Sequence, residues 1–274
     1  MVNGIYVADL VLYIPLFPLV VYNFYTHRWT GFLAWYGLGI FCGIRIAAGA
    51  IGVSNDQSIA ANILIGIGTS PLILSIDGLV HEARTHRNPT QARSKYIGWA
   101  IIYTITALTA AAIALTVTGA MDIYRGTPKL HSIAHWKAGS ALMVVAWVLE
   151  VFWAAFSLLP SQGRRVAPRF RQGTLLLYGT LIALVPLGVR VVYALVATVS
   201  QRKDLSTVSG TAAVRVVLMF LPEALTAIVI VVFGFLTATW TGTRTGNRGN
   251  EDTIDKGKVG AVEQSESMTA LGRV

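Results

Sequence analysis

The sequence predicts an all-α polytopic membrane bundle of seven transmembrane helices, with the N-terminus outside or lumenal and the C-terminus cytosolic. Three observations carry that prediction. Hydrophobic residues make up 54% of the 274 and charged residues only 13%, whereas ordinary soluble domains are about one quarter charged. Seven apolar stretches reach the roughly 20 residues that a helix needs to cross a bilayer. The basic residues between those stretches alternate in number from one loop to the next.

Taken in order, the first stretch, 5–25, has no basic segment before it and no small-residue cleavage site after it, so it reads as a span rather than a cleavable leader. The second, 32–51, carries Gly39, Gly43 and Ala47 at four-residue spacing, a small-residue stripe that predicts close helix approach. The third, 59–79, contains Ser70-Pro71, which predicts a kink. The fourth and fifth are 96–121 and 138–159. The sixth, 173–199, and the seventh, 214–240, hold Pro186 and Pro222; prolines within spans free backbone carbonyls, often where a cavity is lined. None of the seven alternates with the period of two that a membrane barrel requires. No long internal repeat supports an inverted-repeat transporter. From 241 to 274 the chain turns to Gly, Thr, Ser and charge, which predicts a disordered cytosolic tail behind a membrane domain at 1–240.

Orientation follows from the loops. The odd-numbered loops and the tail hold 14 Lys and Arg, among them Arg84, Arg87, Arg164, Arg165, Arg169 and Arg171, whereas the opposite side holds five. The positive-inside bias places the richer side in the cytosol. The same distribution disposes of nucleic acid as a partner for this chain of net charge +9, because the basic residues sit in short loops as topology determinants. The bilayer is the predicted partner, and no protein partner is indicated. Cys42 is the single cysteine, which excludes intrachain disulfides and a cysteine-based metal site. His131 and His135 stand four apart, but Asp122 is their only acidic neighbour in the loop and Lys137 opposes a cation. Neither a metal nor a cofactor is predicted.

A charge in hydrocarbon costs about 2.5 to 3.5 kcal/mol on the insertion scale, so each one pairs or serves a function. The candidates are Asp9, Arg45, Asp77, Glu150, Arg190 and Glu223. At about 1.5 Å per residue, Arg190 and Glu223 both lie about 13 Å below the outer ends of their spans, Arg45 about 9 Å and Asp9 about 6 Å. Two acids and two bases on four spans therefore meet in the outer half. Tyr193 shares a helical face with Arg190. Asp77 falls near the cytosolic end, within reach of water or Arg84. Arg215, at the start of span seven, is placed to snorkel to the interface.

This constellation supports three readings. The first is a pocket for a small amphipathic ligand or lipid, formed by Arg45, Arg190, Tyr193, Glu223 and Asp9, in a receptor or lipid-handling protein. The second is an intramembrane enzyme, by architectural analogy with terpene cyclases, that uses buried Glu150 or Glu223 as general acid. Trp147 and Trp153 flank Glu150 and would wall such a pocket or simply pack. The third is a structural or assembly subunit whose ion pairs hold helices together.

Two familiar seven-span functions lack their residues here. Span seven has no lysine for a retinal Schiff base, and it reads Leu221-Pro222-Glu223-Ala224-Leu225 where rhodopsin-class receptors carry Asn-Pro-x-x-Tyr. Three segments, Ile44-Arg45-Ile46-Ala47-Ala48-Gly49-Ala50, Val189-Arg190-Val191-Val192-Tyr193-Ala194-Leu195 and Leu221-Pro222-Glu223, resemble filamentous-fungal seven-span membrane proteins grouped under a domain of unknown function. The resemblance spans roughly residues 1–240. It implies a multi-pass membrane protein, supplies no activity, and falls on the same Arg45, Arg190 and Glu223.

Overall fold

A computed structural model of the chain describes residues 4–55, 58–89, 92–124, 131–205 and 210–238. The predicted tail at 241–274 lies outside the described residues. Seven helices are long and apolar enough to cross a membrane. They are α1 (Gly4–His27), α2 (Phe32–Ser54), α3 (Ile59–Arg87), α4 (Ala92–Tyr124), α5 (Ser132–Leu158), α6 (Phe170–Ser200) and α7 (Ala212–Ala238). No strand occurs among the described residues. The helices alternate in direction and leave two ends to the bundle. One carries Asn55, Ser200 and Ala212, and the other carries His27, Arg87 and Phe170.

The outward faces carry many large apolar side chains. Val11, Tyr22, Tyr103, Phe152 and Val185 are all exposed, an apolar surface that water would not tolerate over such an area and that a bilayer satisfies. In the most apolar window of each span, 56% of α3 but only 22% of α4 is buried, so α3 forms the axis and α4 a wall. The axial helix packs against α2, α4, α5 and α6. Helix α7 closes the bundle against α1, α2 and α6. Asn23 Nδ2 donates to Val231 O at 3.5 Å, Gly234 accommodates the Trp35 ring, and Gly179 accommodates Phe233.

Two spans are interrupted, and both breaks have a backbone cause. Helix α3 stops at Ile67 and restarts at Thr69. The predicted kink is thus realised at Gly68, ahead of Ser70-Pro71. Pro71 then falls in the first turn of the new helical segment, where its missing N–H costs nothing. In α7 the turn Val216–Phe220 is a π-helix. It lies just before Pro222, which has no N–H to give and whose ring would clash with the preceding turn of an α-helix. The wider turn leaves Arg215, Met219 and Glu223 all buried.

Two expectations are corrected by packing. Gly39 and Gly43 face open space, with nothing near where a side chain would begin. The close approaches belong instead to Gly37 against Pro71 and Ser75, and to Gly49 and Gly52 against Tyr6. Span three also runs eight residues beyond Leu79, to Arg87. Its polar last turns persist because neighbouring helices satisfy them. His27 Nδ1 lies 2.6 Å from Glu82 Oε1, Arg84 Nη1 donates to Ser157 Oγ at 2.9 Å, and Arg87 donates to the carbonyls of Ser157 and Leu158. Those carbonyls end α5, where a cation is favoured by the helix dipole.

Candidate functional site

The buried charges of the Asn55 half are brought together by four helices. Arg190 stands ten residues before the end of α6 and Glu223 eleven after the start of α7, so both lie about 15 to 17 Å inside the bundle. Arg190 Nε donates to Glu223 Oε1 at 2.7 Å, and Arg45 Nη2 pairs with Glu223 Oε2. Each carboxylate oxygen thus takes one guanidinium, from α6 on one side and α2 on the other. Thr69, the first residue after the break in α3, adds its hydroxyl to Oε1 at 3.1 Å. The carboxylate therefore also sits at the N-terminus of a helical segment, where negative charge is stabilised. Arg45 continues the chain of charge to Asp9 on α1, with Nη1 3.8 Å from Oδ2, and lies 5.7 Å from the centre of the Phe41 ring one turn earlier. Gly68 leaves the guanidinium its room. A Cβ there would stand 3.2 Å from Arg45 Nε.

A cavity of about 70 Å³ opens against this cluster between α3, α4, α5 and α6. Arg190 lines it, together with the polar side chains of Asn62, Thr69, Thr116, Ser140 and Thr198 and the apolar Met143 and Val191. Arg190 Nη1 is buried and has no hydrogen-bond partner among the described residues. The wall itself is ordered by hydroxyl contacts: Ser140 Oγ donates to Thr198 Oγ1 at 3.2 Å, and Thr198 in turn to Ala194 O at 2.7 Å.

Sequence reasoning found Asp9, Arg45, Arg190 and Glu223, and the structure brings those four together. Tyr193 lies beside them but points elsewhere, its hydroxyl donating to Leu205 O at 3.1 Å. Thr69 was missed; only its place beside the break in α3 gives a signal for it. Arg215 does not snorkel. It is buried and close enough to Asp9 for the two charges to interact, because the π-turn keeps it on the inner side.

Glu150 belongs to a different place. It lies on α5 in the half of the bundle nearer Arg87, and its carboxyl faces that of Asp77 on α3, both fully buried. Asp77 therefore faces Glu150. Arg84, the predicted alternative, instead lies over the Trp153 ring at 4.1 Å. Trp147 serves packing, donating Nε1 to Leu184 O at 2.9 Å and resting on Gly188. Neither Glu150 nor Asp77 lines the cavity beside Arg190. At the Asn55 end of the bundle the rings of His131 and His135 stack at 6.2 Å, and Asp122 accepts from Ser132 Oγ at 3.0 Å.

Seven apolar helices around a buried charge network define a multi-pass integral membrane protein. The chain belongs to the family DUF7702, a domain of unknown function that matches residues 1–239, the whole helical bundle. Neither a curated protein nor a solved structure matches it.

Proposed function

We propose that this protein binds the polar end of a small amphipathic ligand or lipid in the Asn55-half cavity, in a receptor or lipid-handling role. One observation carries the reading. The cavity is lined by five uncharged polar side chains and by Arg190, whose buried Nη1 lacks a partner among the described residues. A structural ion pair needs neither an adjoining space nor an unspent donor, and unsatisfied buried donors are disfavoured unless something uses them. The size of the cavity restricts the occupant to a headgroup or a comparably small polar group, with any apolar remainder running between helices into the bilayer.

The enzyme reading loses one of its two candidates on geometry. Both oxygens of Glu223 are engaged by guanidinium groups, which leaves neither free to serve as general acid. Glu150, for its part, is remote from the cavity.

The test uses purified full-length protein in a neutral maltoside detergent, with a panel of short-chain lipids as probes and thermal unfolding as the readout. A ligand at a hundredfold its Kd stabilises by about 2.7 kcal/mol. Ala194→Leu places a larger side chain in the lining and is expected to abolish the shift that wild type shows. If no lipid in the panel separates wild type from Ala194→Leu, the reading fails.

A further inference from the structure

The charges around the cavity do not balance. Among the buried described residues of the Asn55 half, Arg45, Arg190 and Arg215 face only Asp9 and Glu223. Glu223 is consumed by Arg45 and Arg190 together, and Asp9 is shared between Arg45, at 3.8 Å, and Arg215. Donors are left over at each arginine: Arg45 Nε, Arg190 Nη1 and Arg215 Nε are all buried without a hydrogen-bond partner among the described residues. Only one of the three arginines, Arg190, lines the cavity. Of the remaining polar lining, the Asn62 amide nitrogen and the Thr116 hydroxyl can donate to an oxyanion, whereas Thr69, Ser140 and Thr198 already spend their hydroxyl hydrogens on Glu223, Thr198 and Ala194 O. No acidic side chain among the described residues borders the space to repel one.

From this we infer that the cavity is an anion site, and that the ligand it takes presents a single carboxylate or phosphate to Arg190. The inference rests on the binding reading above and supplies the charge of the ligand. Physically, a bundle interior with one more guanidinium than carboxylate carries an uncompensated charge in a medium of low dielectric, and an anionic ligand is what neutralises it. A bound oxyanion would accept from Nη1 while Nε stays on Glu223, so the guanidinium would bridge the structural carboxylate and the ligand without either displacing the other. Asn62 Nδ2 and the Thr116 hydroxyl would donate to its other lone pairs.

The same chemistry is available from an anionic lipid headgroup and from a free anion in solution. The experiment therefore has two arms on the full-length protein in maltoside detergent, both read by thermal unfolding. In one arm dioctanoyl phosphatidic acid is compared with dioctanoyl phosphatidylcholine, which has the same chains and no net charge. In the other, inorganic phosphate and acetate are added alone. The expected result is stabilisation by phosphatidic acid and not by phosphatidylcholine, abolished in Ala194→Leu, with an apparent affinity about tenfold or more weaker in Arg190→Gln. Phosphate or acetate acting alone would identify a free anion as the ligand; no effect from them beside a clear effect of phosphatidic acid would identify a headgroup. Arg215→Gln removes the surplus charge without touching either partner of Glu223, and it is expected to reduce the preference for the anion. That variant decides the matter where Arg190→Gln does not fold. Equal stabilisation by both lipids, removed by Ala194→Leu, overturns the anion assignment and leaves the binding reading standing. An anion preference that persists unchanged in Arg215→Gln and Arg190→Gln also overturns it. No effect of any probe on any protein overturns both.

Discussion

At the scale of single residues, the bundle turns on Glu223. Its two oxygens hold two arginines from different helices, and both arginines are buried. Without that carboxylate they would be like charges a few ångströms apart in a low dielectric. Breaking a buried pair by removing one partner costs about 3 to 5 kcal/mol, and here one substitution breaks two. Glu223→Gln is therefore expected to lower the thermal unfolding midpoint strongly in detergent. Asp9→Asn, which loosens a pair already at 3.8 Å, should lower it less. Fluorescence-detected size-exclusion after a heating series measures both. An Asp9→Asn effect as large as that of Glu223→Gln would mean that the network is organised around α1 instead. The four charges were legible in the sequence because depth along a helix is a matter of counting, and Arg190 and Glu223 count to the same level from the same end. Thr69 and Arg215 were not legible in that way. Thr69 matters only because α3 restarts there, and Arg215 is aimed inward by a π-turn that changes azimuth, which counting does not register.

The elements of this fold are fixed by what each helix meets. A small residue in a span has two possible meanings, a seat for a neighbouring helix or a plain stretch of lipid-facing surface, and spacing alone does not separate them. The stripe Gly39, Gly43 and Ala47 has the spacing of a packing motif, yet it faces outward, whereas Gly52, seven residues short of the next span, lies under the ring of Tyr6, which leaves no room for a Cβ. The cause is tertiary: which side of α2 meets α1 depends on where α3 and α7 leave room, and no local pattern in 32–51 encodes that. The two positions predict opposite outcomes. Gly52→Ala is expected to cost about 1 to 3 kcal/mol by overpacking α1 against α2, and Gly43→Ala to change stability by no more than about 0.5 kcal/mol. Unfolding of each variant in the same detergent checks the pair, and a larger loss at Gly43 would require α2 to be turned by about half a helix. The ends of elements follow the same logic. Span three runs on past Leu79 through Glu82, Arg84 and Arg87 because His27, Ser157 and the last carbonyls of α5 receive them. A dense charged stretch looks like a loop until its partners, all from distant parts of the sequence, are in place.

For the molecule as a whole, seven spans were legible because length and apolarity are properties of each segment by itself, and the bilayer imposes them one span at a time. Orientation is a separate matter, carried by the loops. The basic loop at 164–171 lies at the Arg87 end of the bundle, and the cavity lies in the Asn55 half, so the positive-inside bias predicts that the ligand site is reached from outside or from the lumen. Single cysteines test this without replacing the native one, because Cys42 is fully buried. Val166→Cys is a reporter for the basic loop, since Val166 is 96% exposed, and Thr211→Cys, just before α7 and also exposed, reports on the other end. A membrane-impermeant maleimide should leave Val166→Cys unmodified in intact cells and modify it once digitonin opens the plasma membrane. Thr211→Cys should react either in intact cells or only after full detergent permeabilisation, according to whether the protein resides in the plasma membrane or an internal one. In neither case should digitonin be the step that exposes it. If the two reporters exchange these patterns, the bundle is inverted, the basic loop is the external one, and the anion site faces the cytosol, where soluble phosphates rather than external or lumenal anions would be the ligands within reach.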